Sequence, residues 1–137
     1  MKKGYKKPNL ESKYFDELFE SLPSLEDKTV LITGTTTGTG YTAAEACGKL
    51  GAKVVLLNRP SERAKTSFEK LKETTSNGSF YPIDCDLQSF ASVRDCIPKI
   101  NELCPEGIDV LCNNAGVMAL EDMPTDDGYD IQMQTNH

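Results

Sequence analysis

The sequence predicts a doubly wound α/β fold, in which helices cover both faces of a parallel sheet. Three observations support this fold class: apolar runs at residues 30–32, 54–57 and 108–111, segments with helical spacing between them, and a glycine-rich turn at residues 33–40. Short, largely apolar runs are typical of parallel strands that are buried on both faces. With right-handed crossovers, the strand order is 3-2-1-4.

Four segments are predicted to be strands: residues 28–33, 53–58, 79–84 and 108–112. The first helix between them is predicted to run from about Gly38 to Leu50, with Gly51 as its C-cap. The second begins at an N-cap, Ser61, and residues 77–78 (Asn-Gly) turn the chain into the third strand.

The third helix carries apolar residues at helical spacing between Phe90 and Leu103, and Pro98 is expected to kink or shorten it. A fourth helix is predicted to begin near residues 125–127 and to be cut off at His137. The sheet is therefore expected to be incomplete after its fourth strand.

Residues 1–26 are predicted to form an N-terminal helical extension, basic at its tip and amphipathic beyond it. Four lysines lie within the first eight residues, and apolar residues follow at helical spacing until Pro23. We expect this helix to pack on the domain formed by residues 27–137. The alternative is contact with a membrane surface, which suits a basic tip and an aromatic face but which four acidic residues of the same helix weaken.

Composition and charge argue against several classes of function. The chain has 137 residues, enough for one domain with a buried core, and a net charge of −6. Without the four N-terminal lysines, 11 basic side chains face 21 acidic ones, a net charge of −10 that argues against nucleic acid as a partner. No apolar stretch is long enough to span a bilayer, and the basic N-terminus has no signal-peptide core. We therefore expect a cytoplasmic protein.

Cysteine usage argues against a metal site. The five cysteines form no CxxC pair, and the chain has a single histidine, so no zinc or other metal is expected. Buried free thiols in a reducing compartment are the expected state. The composition leaves oligomerisation open.

The turn between the first strand and the first helix reads Thr33-Gly34-Thr35-Thr36-Thr37-Gly38-Thr39-Gly40. Glycines at such a turn let the backbone approach a pyrophosphate while helix N–H groups point at it. We expect Gly34 to allow the turn, Gly38 to admit the phosphates and Gly40 to let the helix pack closely. The hydroxyls that can add contacts are those of Thr35, Thr36, Thr37 and Thr39. The alternative is a tight turn whose glycines serve packing alone.

The end of the second strand bears on the choice of nicotinamide cofactor. An acidic residue there accepts hydrogen bonds from the ribose 2′-OH of NAD and repels a 2′-phosphate. This chain has Asn58-Arg59, and an amide followed by a guanidinium favours the 2′-phosphate of NADP. We therefore expect NADP rather than NAD; the alternative is a solvated surface arginine.

The run Asn113-Asn114-Ala115-Gly116 follows the fourth predicted strand. With the glycine turn, it makes residues 26–137 resemble the short-chain dehydrogenase/reductase family, in which the residue at the position of Thr39 is usually aliphatic. The resemblance implies a Rossmann-like, NADP-binding half-domain over residues 27–137. It also implies that Asn113, Ala115 and Gly116 line the adenine-ribose side of the cofactor.

The resemblance extends to the third strand and to the chain's last residues. Asp86-Leu87 matches the pair with which the family reads adenine, the aspartate accepting from the exocyclic amine; the alternative for Asp86 is a helix cap. Residues 135–137 resemble the family's Asn-His segment, which implies that Asn136 holds a water of the proton relay. The family's catalytic serine and Tyr-x-x-x-Lys pair are absent, since no tyrosine here has a lysine four residues on.

Within the family, residues 58–59, 115–118 and 127–129 are most similar to the retinol-dehydrogenase-like or protochlorophyllide-reductase-like branch. The expected function is an NADP(H)-dependent oxidoreductase that transfers hydride between nicotinamide and a small carbonyl or alcohol substrate. This chain would carry the cofactor-binding half, with Asn136 as its one catalytic residue, and is expected to be inactive alone. The alternatives are a non-catalytic dinucleotide-binding module and an interaction module whose unfinished sheet recruits a partner.

Overall fold

The computed structural model describes residues 15–76 and 78–137. In chain order its elements are α1 (Phe15–Ser21), β1 (Thr29–Thr33), α2 (Gly38–Lys49), β2 (Lys53–Asn58), α3 (Glu62–Thr74), β3 (Ser79–Asp84), α4 (Phe90–Leu103), β4 (Val110–Cys112) and α5 (Ile131–Asn136). The four strands form one parallel sheet in the order β3-β2-β1-β4. The predicted fold class and strand order are confirmed.

Two layers of core cover the two faces of this sheet. The layer that includes α2 and α3 consists of Val30, Ile32, Ala44, Ala52, Val54, Leu56, Leu71 and Phe80. The layer that includes α4 consists of Leu31, Val55, Leu57, Ile83, Cys85, Cys96 and Cys104. Successive residues of a strand point to opposite faces, so a sheet covered on both sides needs apolar residues at every position. That is why residues 54–57 form an unbroken apolar run and are all buried.

The outer strands depart from this pattern. β3 contains Pro82, which a strand with a neighbour on one side only can accommodate. β4 has three residues rather than the five predicted, and its first two, Val110 and Leu111, are exposed. Asp109 precedes β4 rather than belonging to it, and its carboxylate accepts a hydrogen bond from the Thr29 N–H at 2.8 Å.

The ends of the first two sheet-covering helices lie close to their predicted signals. Ser61 caps α3, since its Oγ accepts a hydrogen bond from the Ala64 N–H at 3.1 Å. The C-cap of α2 is Leu50 rather than the predicted Gly51, which follows it with a φ of 95° and donates its N–H to the Gly48 carbonyl. Pro98 was expected to kink or shorten the third helix; α4 continues through it to Leu103, so the shortening is wrong, and the kink stays a prediction. A proline removes one main-chain hydrogen bond, and core contacts on both sides of it keep the helix intact.

α5 begins at Ile131, later than the predicted start near residues 125–127, so that boundary is wrong. Residues 125–129 form a turn instead, in which the Thr125 N–H donates to the Tyr129 carbonyl and Gly128 has a φ of 86°. The N-cap of α5 is Asp130, whose carboxylate accepts hydrogen bonds from two main-chain N–H groups of the first turn at 2.9 and 3.0 Å.

The N-terminal extension is described only from residue 15 onward. Its four lysines lie outside the described residues, as does the predicted turn residue Asn77. In the described part, α1 buries none of its residues, and Phe15, Leu18 and Leu22 are exposed. The expectation that this helix packs on the domain is therefore wrong for residues 15–22. Over residues 15–76 and 78–137, the structure has no helix with the length and apolar character that crossing a membrane requires.

Candidate functional site

A cleft of about 630 Å³ opens beside the glycine turn, at the carboxyl ends of the strands. In a sheet of this order the strand sequence reverses between β1 and β4, and ligands of such folds bind in the crevice beyond the strand ends there. The predicted site residues that line the cleft are Gly34, Thr36, Thr37, Thr39, Gly40, Asn58, Arg59, Asp86, Leu87, Ala115 and Gly116. The predicted residues outside its lining are Thr35, Gly38, Asn113 and Asn136.

Two glycines of the turn are required by close packing. A Cβ atom on Gly34 would lie 2.8 Å from the Cα of Ala115, and one on Gly40 would lie 2.3 Å from the Asn114 amide nitrogen. Gly34 also has a φ of 71°, in the left-handed region that favours glycine. Because these two glycines have no side chain, α2 can pack against the ends of β1 and β4. This is the close packing expected of Gly40.

Gly38 is required for a different reason. Its φ of 64° favours glycine, yet among the described residues a Cβ placed there would meet no atom within 4 Å apart from its chain neighbours and the backbone of its own helix. It lines a second cleft, between α2 and α3, rather than the first. The backbone in front of Gly38 is therefore accessible, and the approach of phosphates at this residue stays a prediction.

Thr35 and Asn58 form two hydrogen bonds with each other. The Thr35 N–H donates to Asn58 Oδ1 at 2.8 Å, and Asn58 Nδ2 donates to Thr35 Oγ1 at the same distance. Both residues are buried. Thr35 also lies outside the cleft lining, and the ligand contact expected from its hydroxyl stays a prediction. The pair holds the glycine turn against the end of β2.

Arg59 is exposed at the mouth of the cleft, immediately after β2. It forms no ion pair with any residue in the part of the chain that the structure describes. β2 ends at Asn58, whose side chain is a neutral amide. No carboxylate at the end of this strand therefore neutralises Arg59. Its guanidinium is free to pair with an anion.

Asp86 lies half-buried in the lining of the cleft. Its carboxylate accepts a hydrogen bond from the Gln88 N–H at 3.0 Å, and its own N–H donates to Ser92 Oγ at 2.9 Å. The N-cap of α4 is Ser89, so the helix-cap alternative for Asp86 is wrong. These two hydrogen bonds fix the loop between β3 and α4, from which the Asp86 carboxylate lines the cleft.

Asn114 joins β4 to β1 and was missed as a site residue. Its Nδ2 donates to the carbonyl oxygens of Thr33 and Gly34, both at 3.0 Å. The N–H groups of Asn114 and Ala115 donate to Thr33 Oγ1 at 3.0 and 2.9 Å. Asn113 is exposed and lies outside the cleft lining. Successive residues of an extended chain point to opposite sides, so only one of the two amides meets the end of β1, and the residue types alone do not show which one.

Asn136 and Thr135 lie at the end of α5. Asn136 bonds the loop after β4 with both ends of its amide: Oδ1 accepts from the Val117 N–H at 2.7 Å and Nδ2 donates to the Val117 carbonyl at 2.8 Å. The water-holding role that the resemblance implies for Asn136 stays a prediction, since this side chain is engaged by Val117. Thr135 lines the cleft, and its buried Oγ1 has no hydrogen-bond partner in the described residues. A ligand in the cleft could satisfy that hydroxyl.

The cleft also has lining residues that sequence reasoning did not select: Leu57, Ser61, Arg63, Cys85, Gln88, Asn114, Val117 and Thr135. Among them, Cys85 is a buried thiol whose pKa is raised to about 12, first by burial and then by Cys96, whose Sγ lies 3.7 Å away. A thiol with so high a pKa is not a nucleophile at neutral pH. The polar lining therefore offers hydrogen bonds and charge rather than covalent chemistry.

The residues present fit a dinucleotide. The glycine turn provides a backbone cradle at the start of α2, Arg59 provides a cation, and Asp86 provides an acceptor in the same cleft. The orphaned Thr135 hydroxyl is a further polar group that protein atoms leave unsatisfied. Within residues 15–76 and 78–137, no cluster of metal-binding side chains is present.

The fold is that of the short-chain dehydrogenases. The family model described as short chain dehydrogenase matches residues 28–137, and the chain belongs to this family of oxidoreductases. The chain spans about a third of the length of the curated relatives it matches.

Two human relatives and one solved structure illustrate the similarity. Polyprenol dehydrogenase of Homo sapiens is 33% identical over 115 residues, which cover 84% of this chain and 34% of that protein. Retinol dehydrogenase 13 of Homo sapiens is 33% identical over 117 residues, which cover 85% of this chain and 35% of that protein. The NADP active-site complex of RhlG from Pseudomonas aeruginosa superposes with a TM-score of 0.66 at 32% identity, covering 82% of this chain and 43% of that one.

Proposed function

We propose that residues 27–137 bind NADP(H) and form the cofactor-binding part of an oxidoreductase acting on a small carbonyl or alcohol compound. The observation that carries the proposal is the end of β2, where Arg59 faces the cleft unpaired within the described residues and Asn58 stands where a carboxylate would select NAD. RhlG, a relative of the same fold, was solved with NADP. Retinol dehydrogenase 13 and polyprenol dehydrogenase are both named as dehydrogenases.

Each wall of the cleft would hold a different part of the cofactor. The glycine turn and the first N–H groups of α2 would bind the pyrophosphate, and Asp86 would accept a hydrogen bond from the adenine amine. Arg59 would bind the 2′-phosphate with its guanidinium. When bound, the nicotinamide supplies or accepts the hydride. Residues of this chain thereby position the cofactor against the sheet ends.

The chain contains no Tyr-x-x-x-Lys pair. We therefore propose that residues 1–137 by themselves bind the cofactor without catalysing turnover, because the group that would move the proton is not among them. The same observation favours a second candidate function, a dinucleotide-binding module that carries out no chemistry. An NADPH-oxidation assay with a panel of aldehydes and ketones distinguishes the two functions when it is run on a longer form of the protein that contains a Tyr-x-x-x-Lys pair. Turnover there supports the oxidoreductase, and cofactor binding without turnover supports the binding module.

Cofactor preference tests the proposal directly. In Arg59→Ala, NADPH binding should weaken by about 1.5–3 kcal/mol, the range for a charged hydrogen bond, while NADH binding should change little. Calorimetric titration of the protein and the variant with both cofactors measures this. Equal losses for the two cofactors, or a protein that binds neither, would contradict the proposal.

A further inference from the structure

The turn between β4 and α5 carries a carboxylate that joins two other elements. Asp127 Oδ2 accepts a hydrogen bond from the Phe90 N–H at 2.8 Å and another from Gln134 Nε2 at 2.7 Å. Phe90 is the first residue of α4, and Gln134 lies in α5. A single carboxylate oxygen therefore connects the start of α4 to α5, and we call this connection the Asp127 bridge.

The charge of Asp127 suits the helix end that it contacts. Ser89 caps α4 by accepting a hydrogen bond from the Ser92 N–H at 3.2 Å, and Asp127 satisfies a second main-chain N–H of the kind that a helix start leaves free. A carboxylate is favoured beside the partial positive charge of a helix start. The Phe90 N–H and then the Gln134 amide lower the pKa of Asp127 below its ordinary value of 3.8, so the side chain is ionised at neutral pH.

Two neighbours of Asp127 in the turn contact the same two helices. The Thr125 hydroxyl donates to Gln134 Oε1, and Gln134 is buried. The ring of Tyr129 packs against the ring of Phe90, with the centroids 5.5 Å apart. None of these residues belongs to either layer of the core, so the Asp127 bridge is separate from the packing that stabilises the sheet.

Both ends of the Asp127 bridge lie next to residues of the cleft beside the glycine turn. The loop before α4 supplies Asp86 and Gln88 to the lining, and α5 supplies Thr135, the residue after Gln134. The buried Thr135 Oγ1 has no hydrogen-bond partner among the described residues. Asp127 itself lies outside the lining. A side chain that is not part of the cleft therefore connects two segments of its wall.

We propose that Asp127 is a positioning residue of the cofactor cleft, whose carboxylate holds the Thr135 hydroxyl in place, relative to the loop of Asp86, for a hydrogen bond with the bound dinucleotide. This inference rests on the proposed function, since it assumes that the cleft binds the dinucleotide. Supporting contacts must hold a binding group within about 0.5 Å of its productive position. Without the carboxylate, Gln134 loses its acceptor, and the Thr135 hydroxyl can shift relative to the start of α4.

A double-mutant cycle tests whether Asp127 acts through Thr135. Asp127→Ala should weaken NADPH and NADH binding by the same factor, about three- to tenfold, because the two cofactors differ only in the 2′-phosphate. Thr135→Val removes the hydroxyl with little change of shape. In that background, Asp127→Ala should change either affinity by less than about twofold, because the group that it positions is gone. Calorimetric titration of the four proteins with both cofactors measures this.

Three further variants serve as controls. Asp127→Asn should bind both cofactors within about twofold of the unaltered protein, since its amide oxygen can accept the same two hydrogen bonds. Asp126→Ala is the matched control and should also stay within about twofold, because Asp126 is the exposed neighbour of Asp127 in the same turn. Circular dichroism shows whether each variant is folded. If Asp127→Ala does not fold, Gln134→Leu replaces it in the cycle, because it removes the same hydrogen bond from the α5 side.

The outcomes separate this inference from the proposed function. Unchanged affinity in Asp127→Ala, or an equal loss with and without the Thr135 hydroxyl, would overturn the inference alone and leave the proposed function standing. A loss confined to NADPH would show that Asp127 acts on the 2′-phosphate, and a loss in Asp126→Ala as large as that in Asp127→Ala would show a general effect of the turn. Either result would overturn the inference. A protein that binds neither cofactor would overturn both the inference and the proposed function.

Discussion

β2 and β4 are the two neighbours of the central strand β1, and they are held in place by different forces. β2 aligns five residues with β1, and its apolar side chains are buried, with Leu56 only 1% exposed. β4 aligns three residues, and Val110 and Leu111 are 48% and 54% exposed. Both strands are apolar in sequence, so apolar composition alone does not decide whether a strand of this chain is buried.

Polar contacts at its two ends attach β4 to β1. Before the strand, the Asp109 carboxylate accepts hydrogen bonds from the Thr29 N–H and from Lys28 Nζ, which lies 2.9 Å away. After the strand, Asn114 binds two carbonyl oxygens of the turn that follows β1. The comparison teaches that packing stabilises β2, whereas side-chain hydrogen bonds at the strand ends stabilise β4.

The largest effect is expected from removing the same side chain from each strand. Leu56→Ala should lower the free energy of unfolding by about 2–5 kcal/mol, because it leaves a cavity in a core that two helices cover. Leu111→Ala should change it by no more than about 0.5 kcal/mol, since that side chain already faces solvent. Urea denaturation followed by circular dichroism measures both. Similar losses in the two variants would contradict the contrast between the strands.

A smaller effect is expected from the amide that follows β4. Asn114→Ala should destabilise the protein by about 1–3 kcal/mol, because the carbonyl oxygens of Thr33 and Gly34 lose their shared donor. Asn113→Ala is the matched control and should lie within about 0.5 kcal/mol of the unaltered protein, since Asn113 is exposed. The same urea titration measures both variants. Equal losses of unfolding free energy in the two variants would show that the Asn114 hydrogen bonds do not attach β4 to β1.

The smallest effect is expected from the pair before β4, and it should depend on pH. The Thr29 N–H and then Lys28 hold the pKa of Asp109 below its ordinary value of 3.8, so its contribution to stability is present above pH 3.8. That contribution is lost as the pH falls through the lowered pKa of the folded state. From the other side, Asp109 raises the pKa of Lys28 above 10.5, so the pair also weakens as the pH rises beyond that raised pKa.

Thermal melts across these pH ranges measure the effect. Asp109→Asn should remove this part of the acid dependence while leaving the midpoint near pH 7 only slightly lower, because both partners are exposed and solvent screens them. An unaltered acid dependence in the variant would show that Asp109 does not titrate as described.

The part of the site that sequence reasoning found is the part encoded in local order along the chain. Gly34 and Gly40 stand at a strand-to-helix turn, and Arg59 and Asp86 each follow a strand that ends at the same edge of the sheet. In a parallel sheet, the carboxyl ends of all strands meet at one edge, so residues after successive strands must come together. Their convergence on one cleft therefore follows from spacing and strand order.

The rest depended on which partner each side chain meets. Thr35 looked like its neighbours Thr36 and Thr37, yet its hydroxyl bonds Asn58 inside the protein. Arg63 was not selected from the sequence, and only the position of α3 beside the glycine turn brings it to the cleft. The order of residues does not reveal such contacts, because each brings together residues that lie far apart along the chain.

By itself, the sequence determined the alternation of strands and helices, the sheet order and the edge at which the cleft opens, because periodicity, glycine placement and crossover handedness are local properties of the chain. The tertiary structure alone decided that β2 is buried while β4 is exposed, that Asn114 rather than Asn113 joins β4 to β1, and that α5 starts at Ile131 rather than near residues 125–127. Burial and hydrogen-bond partnership are properties of pairs of elements. They are settled only when the elements have packed, since the free energy of an exposed or unpaired group depends on what lies next to it.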